Sequence, residues 1–345
     1  MRGSETEPVK NEPMETPQSL LPDLATLQEW LTIGLSDASR EGHLVRVLKR
    51  NPPPFMSTFA NEIVTCQFPG GRKRRVFIKY GGGRSHVSFG HRGDISYEAE
   101  VYRRVLQLLP GFRPKYLGAH TDSETGDTSL FLEYVDRNTR LSDLSWKRAT
   151  RQPRAMAQTA RWLARFHAAL ESRVHDASLS FLKRYDVMYY RGWAQRTFEF
   201  ARPLLPRFPW LKALRKCGDA WFAPLLTATQ TVIHGEFYAK TVLVRAQIHF
   251  MVDWESTAIA PGAIDLVALT EGEGWSPKLV RRCEIEYLRT RWPGGAPAEF
   301  QRTLDAARVY LHFRWLGERP DWAVREKSRW RYDHLHAAAN QLGLI

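Results

Sequence analysis

Apolar residues recur along this chain with two different periods, and the change from one to the other divides it. Residues 1–20 are polar and proline-containing, show no period, and are expected to be disordered. Asp23 then stands as an N-cap before Leu24, Leu27, Trp30, Leu31 and Leu35, which follow helical spacing. Three runs of strand character follow over residues 43–50, 62–68 and 74–80, the last two joined by a turn at Pro69, Gly70 and Gly71. A glycine-rich stretch, residues 81–93, separates the third strand from a helix predicted over residues 95–109, with Ile95, Val101, Val105, Leu106 and Leu109 on or near one face. Two further strands, 114–121 and 129–135, flank the turn residues Asp122 to Asp127. Beyond Asp136 the helical period takes over. Residues 153–170 carry Met156, Ala160, Leu163, Phe166 and His167 at three- and four-residue steps. Aromatic-rich helical stretches run to about Leu226, residues 231–268 are strand-rich, and helices resume to the end. Three strands, a helix and two strands are not the strict alternation of a parallel doubly wound sheet. The pattern predicts a small β-rich half and a larger helical half, joined near residues 133–136, without internal repeats.

Composition narrows the class. At 345 residues, 43% hydrophobic and 25% charged, the chain is long enough for about two domains and a sizeable core. Its three cysteines, Cys66, Cys217 and Cys283, stand far apart, which excludes a CxxC site and a disulfide framework. No apolar run approaches the roughly 18 residues of a membrane span, and the first residues lack the hydrophobic segment of a signal peptide. The expectation is a cytoplasmic protein with no membrane partner. Fifty Lys and Arg against 37 Asp and Glu leave a net charge of +13, a field that favours nucleotides, phosphorylated metabolites or nucleic acid. The excess is uneven: residues 40–115 hold fifteen basic against five acidic side chains, whereas residues 256–345 are near balance at thirteen against eleven. Arginine predominates, which suits bidentate phosphate contacts and equally suits a codon bias. Charge by itself decides nothing.

The most informative stretch is VIHGEFYAKTVLVRAQIHFMVDWESTAIAPGAIDL, residues 232–266. Two strand-like runs around a short turn bring together the polar residues on either side of them. Glu236 then sits on a loop ahead of one strand and Asp253 at the end of the next. Two carboxylates so placed suit metal-assisted phosphoryl transfer, one orienting a hydroxyl nucleophile and the other holding Mg²⁺ on the phosphates. The competing reading is the polar ends of a buried hairpin.

Here the sequence resembles the aminoglycoside phosphotransferase and choline kinase family, whose fold is protein-kinase-like. The family's catalytic loop reads His-Gly-Asp with an Asn five residues on; this chain has His234, Gly235, Glu236 and Thr241, an atypical HGExxxxT. Its metal loop reads Ile-Asp-Trp-Glu or similar, matched by Val252, Asp253, Trp254 and Glu255, and its following turn and Asp-Leu by Pro261, Gly262, Asp265 and Leu266. The resemblance implies that Asp253 holds Mg²⁺, with Thr241 in the second metal position. It also implies that Glu236 takes the catalytic carboxylate position and that His234 and Asp265 brace the loop. It further implies that Lys79, at the end of the strand VFIKY, contacts the α- and β-phosphates of the nucleotide, oriented by a helix glutamate. Glu98 matches that glutamate best and Glu100 competes; about 200° of helical rotation separates them, so both cannot face Lys79. Backbone atoms near Glu133 and Val135 of LFLEYVD correspond to the adenine-binding linker. The resemblance covers roughly residues 40–270.

Two departures bear on activity. Glu236 adds a methylene, and a carboxylate displaced by roughly 1.5 Å costs about 10²-fold in rate unless the backbone compensates. Thr241 is shorter than Asn and offers one oxygen to a metal. Lys240 beside it either adds charge near the phosphates or is simply exposed.

Other features are weaker. Residues 81–93 lack the Lys-Ser/Thr ending of a P-loop and follow the Lys79 strand, so they read as an exposed loop, with a flap near the substrate cleft as the alternative. Ser57 and Thr58 are candidate phosphate caps. Glu271, Glu273, Glu284 and Glu286 are the acidic cluster that would suit a cationic acceptor, or else exposed helix charges. His334 and His336 have no further ligand in view, His167 reads as a packed helix histidine, and residues 318–335 read as a solvated face.

The expectation is therefore an α+β, bilobal protein-kinase-like fold. Residues 21–135 form a small antiparallel β-rich N-lobe that binds nucleotide, and residues 136–345 a larger, mainly helical C-lobe with the catalytic loop, metal and substrate sites. The implied activity is that of a small-molecule kinase, a phosphotransferase using ATP or GTP and Mg²⁺ on a hydroxyl acceptor. The basic chain favours a neutral or anionic acceptor. The alternative is a nucleotide-binding pseudokinase with a regulatory or scaffold role; nucleic-acid binding rests on charge alone.

Overall fold

The computed structural model describes residues 21–35, 45–52, 59–82, 88–109, 113–144, 152–272 and 275–345. The tail over residues 1–20, Ser57, Thr58 and Glu273 lie outside the described residues. The chain divides into two compact units, Met1–Ser85 with Leu117–Phe131, and His86–Tyr116 with Leu132–Ile345.

The first unit opens with helix α1 (Leu24–Gly34), started by Asp23, whose carboxylate accepts the Thr26 N–H at 2.8 Å. Strands β1 (Arg46–Asn51), β2 (Asn61–Gln67), β3 (Lys73–Tyr80), β4 (Tyr116–Thr121) and β5 (Thr128–Glu133) form one sheet in the order β1-β2-β3-β5-β4. The β1–β2 and β2–β3 pairs are antiparallel, the second in a continuous register from Asn61 opposite Lys79 to Gln67 opposite Lys73. Alternation along β3 sends Val76, Ile78 and Tyr80 into a core with Leu27 and Leu31 of α1, Val64 and Phe131. Lys79 points to the opposite face and is also buried, at 2% exposure. The end of α1 passes so close to β4 that a Cβ on Gly118 would lie 1.8 Å from the Gly34 carbonyl oxygen. Glycine is required there, at φ +146°.

In the second unit, helix α2 (Ile95–Arg104) is capped by Asp94, whose Oδ1 accepts the Tyr97 N–H at 2.8 Å. The predicted helix over 95–109 is shorter than expected: it stops at Arg104 and tightens to a 3₁₀ turn at Leu106–Leu108. Pro110 supplies the reason, because it disfavours helical geometry at Leu109, which lies at φ −124°, ψ 63°. The helical part comprises α3 (Gln152–Glu171), α4 (Val187–Phe200), α5 (Trp210–Lys216), α6 (Ala223–Thr227), α7 (Ala263–Thr270), α8 (Pro277–Arg291), α9 (Phe300–Leu316), α10 (Pro320–Val324) and α11 (Arg329–Gln341). Helix α3 packs along α8, and α9 packs against α4, α7 and α11. Two small sheets are set into this body. One orders β10 (Ile248–Met251), β9 (Val242–Arg245) and β6 (Thr139–Arg140); the other orders β7 (Lys183–Arg184), β11 (Ala258–Pro261) and β8 (Gln230–Ile233). Hairpin β9–β10 turns through Ala246 and Gln247, both at positive φ, and pairs Val242 with Met251. It thereby presents the residues before β9 and after β10 at one end.

Candidate active site

Asp265, fully buried in the first turn of α7, organises the loop after β8. Its Oδ2 accepts the His234 N–H at 2.6 Å and its Oδ1 the Gly235 N–H at 2.9 Å. Two backbone donors on one carboxylate fix the peptide planes entering the loop. Oδ2 also meets His167 Nε2 at 3.2 Å, and His167 Nδ1 meets the Tyr287 hydroxyl at 2.8 Å, to which Arg291 donates. His167 is thus packed in its helix, as its sequence context predicts, and is also bonded through both nitrogens. Gly235 sits at φ +84°, and a Cβ there would lie 2.1 Å from the Ser256 carbonyl oxygen. His234 spans the two loops: Nε2 bonds the Val252 carbonyl at 2.9 Å and Nδ1 accepts the Glu236 N–H at 3.3 Å, which sets one tautomer.

Glu236 is buried and held by cations. Arg314 of α9 donates to its Oε1, and Arg92 donates to Oε1 at 2.9 Å and Oε2 at 3.2 Å. His91 Nε2 stands 3.6 Å away. Burial pushes the Glu236 carboxyl up, but Arg314, His91 and Arg92 together outweigh it and hold it well below the usual carboxylate range. Burial, with Arg314 next to it, pulls His91 down to about 4, so its ring is neutral. Sequence reasoning missed this clamp. The one signal for it is Arg314 itself, a charge inside the otherwise apolar run YLHFRWL. The Thr241 hydroxyl is engaged within its own loop, donating to the carbonyls of Glu236 at 3.1 Å and Tyr238 at 2.9 Å. Lys240 is exposed and stands over the Tyr238 ring at 5.3 Å.

At the far end of the hairpin Asp253 adopts a left-handed conformation, φ +65° and ψ +63°, and begins a short 3₁₀ turn. That turn brings its carboxylate together with Glu98 and Glu255; one oxygen from each lies within 4.8 Å of the others. Glu98 Oε1 also accepts the Trp254 N–H at 3.1 Å, so α2 is tied to this loop. Three hard oxygen donors at that spacing fit a divalent cation of the Mg²⁺ class. Glu100 is turned away and pairs with Arg103 and Arg104 of its own helix. Lys79 belongs to the first unit, buried on β3. In the linker, the Glu133 N–H donates to the Lys115 carbonyl at 2.8 Å, and the Val135 carbonyl accepts from the Asn138 amide.

Four expectations need correction. Residues 88–93 of the glycine-rich stretch are no exposed loop: His91 is fully buried, Ser88 bonds Glu318, and the Gly93 N–H donates to the Glu255 carbonyl at 2.7 Å. The acidic cluster is no free anionic pocket, because Glu284 pairs with Arg308, Glu286 with Arg161, and Glu271 with two histidines. His334 does have partners, since its ring and that of His312 both converge on Glu271 Oε1. Residues 318–335 are more than a solvated face: Trp322 stacks on Trp315, and Tyr332 is buried.

No family model matches this sequence, and no curated protein matches it. Solved structures do. The choline kinase of Cryptosporidium parvum Iowa II matches with a TM-score of 0.56 at 12% identity, over 94% of this chain and 98% of that one. The choline kinase LicA of Streptococcus pneumoniae matches with 0.54 at 12% identity, over 87% and 94%. The GDP complex of wild-type aminoglycoside 2'-phosphotransferase-IIIa gives 0.54 at 13% identity, over 93% and 99%. At such identities the likeness speaks for the fold. It is the α+β kinase-like fold anticipated from the motifs, in the form found in choline kinases and aminoglycoside phosphotransferases. No helix among the described residues is long and apolar enough to cross a membrane.

Proposed function

We propose that the chain is a phosphotransferase that moves the terminal phosphoryl group of ATP or GTP to a hydroxyl of a small molecule, working in the cytoplasm. The observation that carries this reading is the gathering of Glu98, Asp253 and Glu255 at one end of the β9–β10 hairpin, on the fold of small-molecule kinases. Asp253, with Glu98 and Glu255, would hold Mg²⁺, which when bound neutralises charge on the transferring phosphates. Lys79 contacts the α- and β-phosphates, and the backbone at Glu133 and Val135 takes the base. His234 and Asp265 keep the catalytic loop in one shape, supported by their hydrogen bonds. Thr241 acts in this reading chiefly by closing that loop on the Glu236 carbonyl rather than as a full metal ligand. Glu236 orients the acceptor hydroxyl; a carboxylate held so far below its ordinary range is a poor base, and a loose phosphoryl transfer asks little of one.

Calorimetric titration of ATP and of GTP, with and without Mg²⁺, tests the reading. In the wild-type protein Mg²⁺ should tighten binding; in Asp253→Ala that dependence should vanish. Unchanged metal dependence in the variant would remove Asp253 from the site. A second reading, a nucleotide-binding protein with impaired transfer, draws support from the Arg92–Arg314 clamp on Glu236. Nucleotide binding without acceptor-dependent ADP or GDP release across a panel of hydroxylated metabolites would favour it.

A further inference from the structure

A cavity of about 230 Å³ opens beside the catalytic loop, lined by Lys240 with Glu271, Trp275, Trp315, Trp330 and Arg331. Tyr238 of the loop forms its inner wall, and the hydroxyl of Tyr238 accepts from both Trp315 Nε1, at 2.9 Å, and Arg314, the partner of Glu236. Two side chains, Tyr238 and Arg314, therefore link the cavity to the Glu236 carboxylate.

Its charge is distinctive. The Arg331 guanidinium lies over the faces of Trp315 and Trp330, at 4.2 Å and 4.3 Å from the ring centroids. Among the described residues neither Arg331 nor Lys240 has a hydrogen bond or ion pair. Arg331 is also half-buried, and a guanidinium withdrawn from water with only the charge of Glu271 acting on it from beyond ion-pair distance is costly to keep. Glu271, the acidic residue of the lining, is already taken by His312 and His334. The Trp315 and Trp330 faces that would attract a cationic ligand are covered by Arg331. Two cations with no hydrogen bond or ion pair among the described residues, aromatic walls and a single carboxylate already engaged by two histidines describe a receptor for an anion with a flat or apolar body, and guanidinium matches carboxylate or phosphate bidentately.

We infer that this cavity receives the acceptor substrate and that the acceptor is an anionic hydroxyl compound, carrying a carboxylate or phosphate read by Arg331 and Lys240. The inference rests on the phosphotransferase reading for the word acceptor, and its test is made on binding alone so that the two fail separately. Calorimetric titrations use gluconate as the carboxylate probe and glycerol 3-phosphate as the phosphate probe, with choline and kanamycin as cationic counterparts. At least one anionic probe should bind and neither cation should. Arg331→Gln should weaken that anion roughly tenfold or more, the loss expected for one charge-assisted contact. Arg331→Lys should recover part of the affinity. Lys79→Ala should leave it unchanged, which separates the cavity from the nucleotide phosphates. Arg331→Gln should keep Mg²⁺-dependent nucleotide binding, showing that it folds. Preference for choline or kanamycin, no binding of either anion, or equal anion affinity in wild type and Arg331→Gln would each overturn the inference. Loss of nucleotide binding in the wild type with anion binding intact would strike the phosphotransferase reading instead.

Discussion

Replacing Arg314 with methionine removes one charge from a pair that is buried on both sides: Arg314 is 2% and Glu236 5% exposed. Methionine keeps an unbranched apolar stem, so packing beside Trp315 is largely retained and the charge is the main loss. Breaking one side of a buried pair costs about 3–5 kcal/mol, because the remaining ion loses its compensation. A direct estimate agrees, since unit charges about 4 Å apart interact by about 4 kcal/mol at an effective dielectric of 20. Arg92 still reaches both carboxylate oxygens of Glu236 and is partly open to water, which places the expected loss near the lower end, about 3 kcal/mol. Equilibrium urea unfolding at pH 7 of Arg314→Met, Glu236→Gln and the double variant measures it. The double variant should be less destabilised than the two single losses added together, with a coupling of about 2 kcal/mol or more.

The pH dependence has a definite sign. The Glu236 carboxyl is depressed in the folded protein, so its stabilisation is present above its unfolded value, ordinarily 4.5, and is lost as pH falls through the folded value. Without Arg314 the folded value climbs back toward the ordinary one. The gap between wild type and Arg314→Met should therefore be widest near neutrality and narrow as the medium becomes acidic. Additive single and double variants, or a gap that widens on acidification, would refute the clamp.

Gly235→Ala should lower the melting temperature by about 5 °C or more, because the new Cβ meets the Ser256 carbonyl at a positive φ; an unchanged melting curve contradicts the drawn turn. His334 is raised by its hydrogen bond to Glu271, so its stabilisation is complete below the unfolded value of 6.5 and is lost as pH rises through the raised folded value. His334→Gln should accordingly be most destabilising, relative to wild type, near pH 6 and least so near pH 9; the reverse order in thermal melts would count against the contact.

What was legible in the sequence was what the chain places close to itself. His234, Glu236 and Asp253 fall between β8 and α7 and Asp265 in the first turn of α7, and one hairpin brings them together, so their order and spacing carried the information. The strands of the first sheet showed themselves by their strand-like runs, α1 by its aspartate cap and α2 by its apolar face. Strands β6 and β7, two residues each, are too short to show a period; they exist because β9 and β11 offer them edges. The same limit hid the clamp. Arg92 and Arg314 lie 144 and 78 residues from Glu236, and nothing local distinguishes them from the many other arginines of this chain. His312 and His334 come from different helices, and only the packing of α9 against α11 makes them neighbours of Glu271.

The glutamate at position 236 makes physical sense only together with those distant arginines. An aspartate would end one methylene sooner, and the buried guanidinium of Arg314 and the partly buried one of Arg92 would face a gap where their acceptor now stands. The carboxylate has two oxygens and about four acceptor positions. Among the described residues Oε1 receives Arg314 and Arg92, while Oε2 receives only the longer 3.2 Å bond from Arg92. Oε2 thus keeps an acceptor position, in a group that stays ionised because Arg314, His91 and Arg92 together outweigh its burial. In the proposed phosphotransferase reading, such a carboxylate would hold an alcohol in line for transfer without taking its proton early. The Thr241 hydroxyl closes the same turn on the Glu236 carbonyl, which limits the freedom that the longer side chain would otherwise introduce. The two departures from the usual loop therefore act on one variable, the position of a single oxygen.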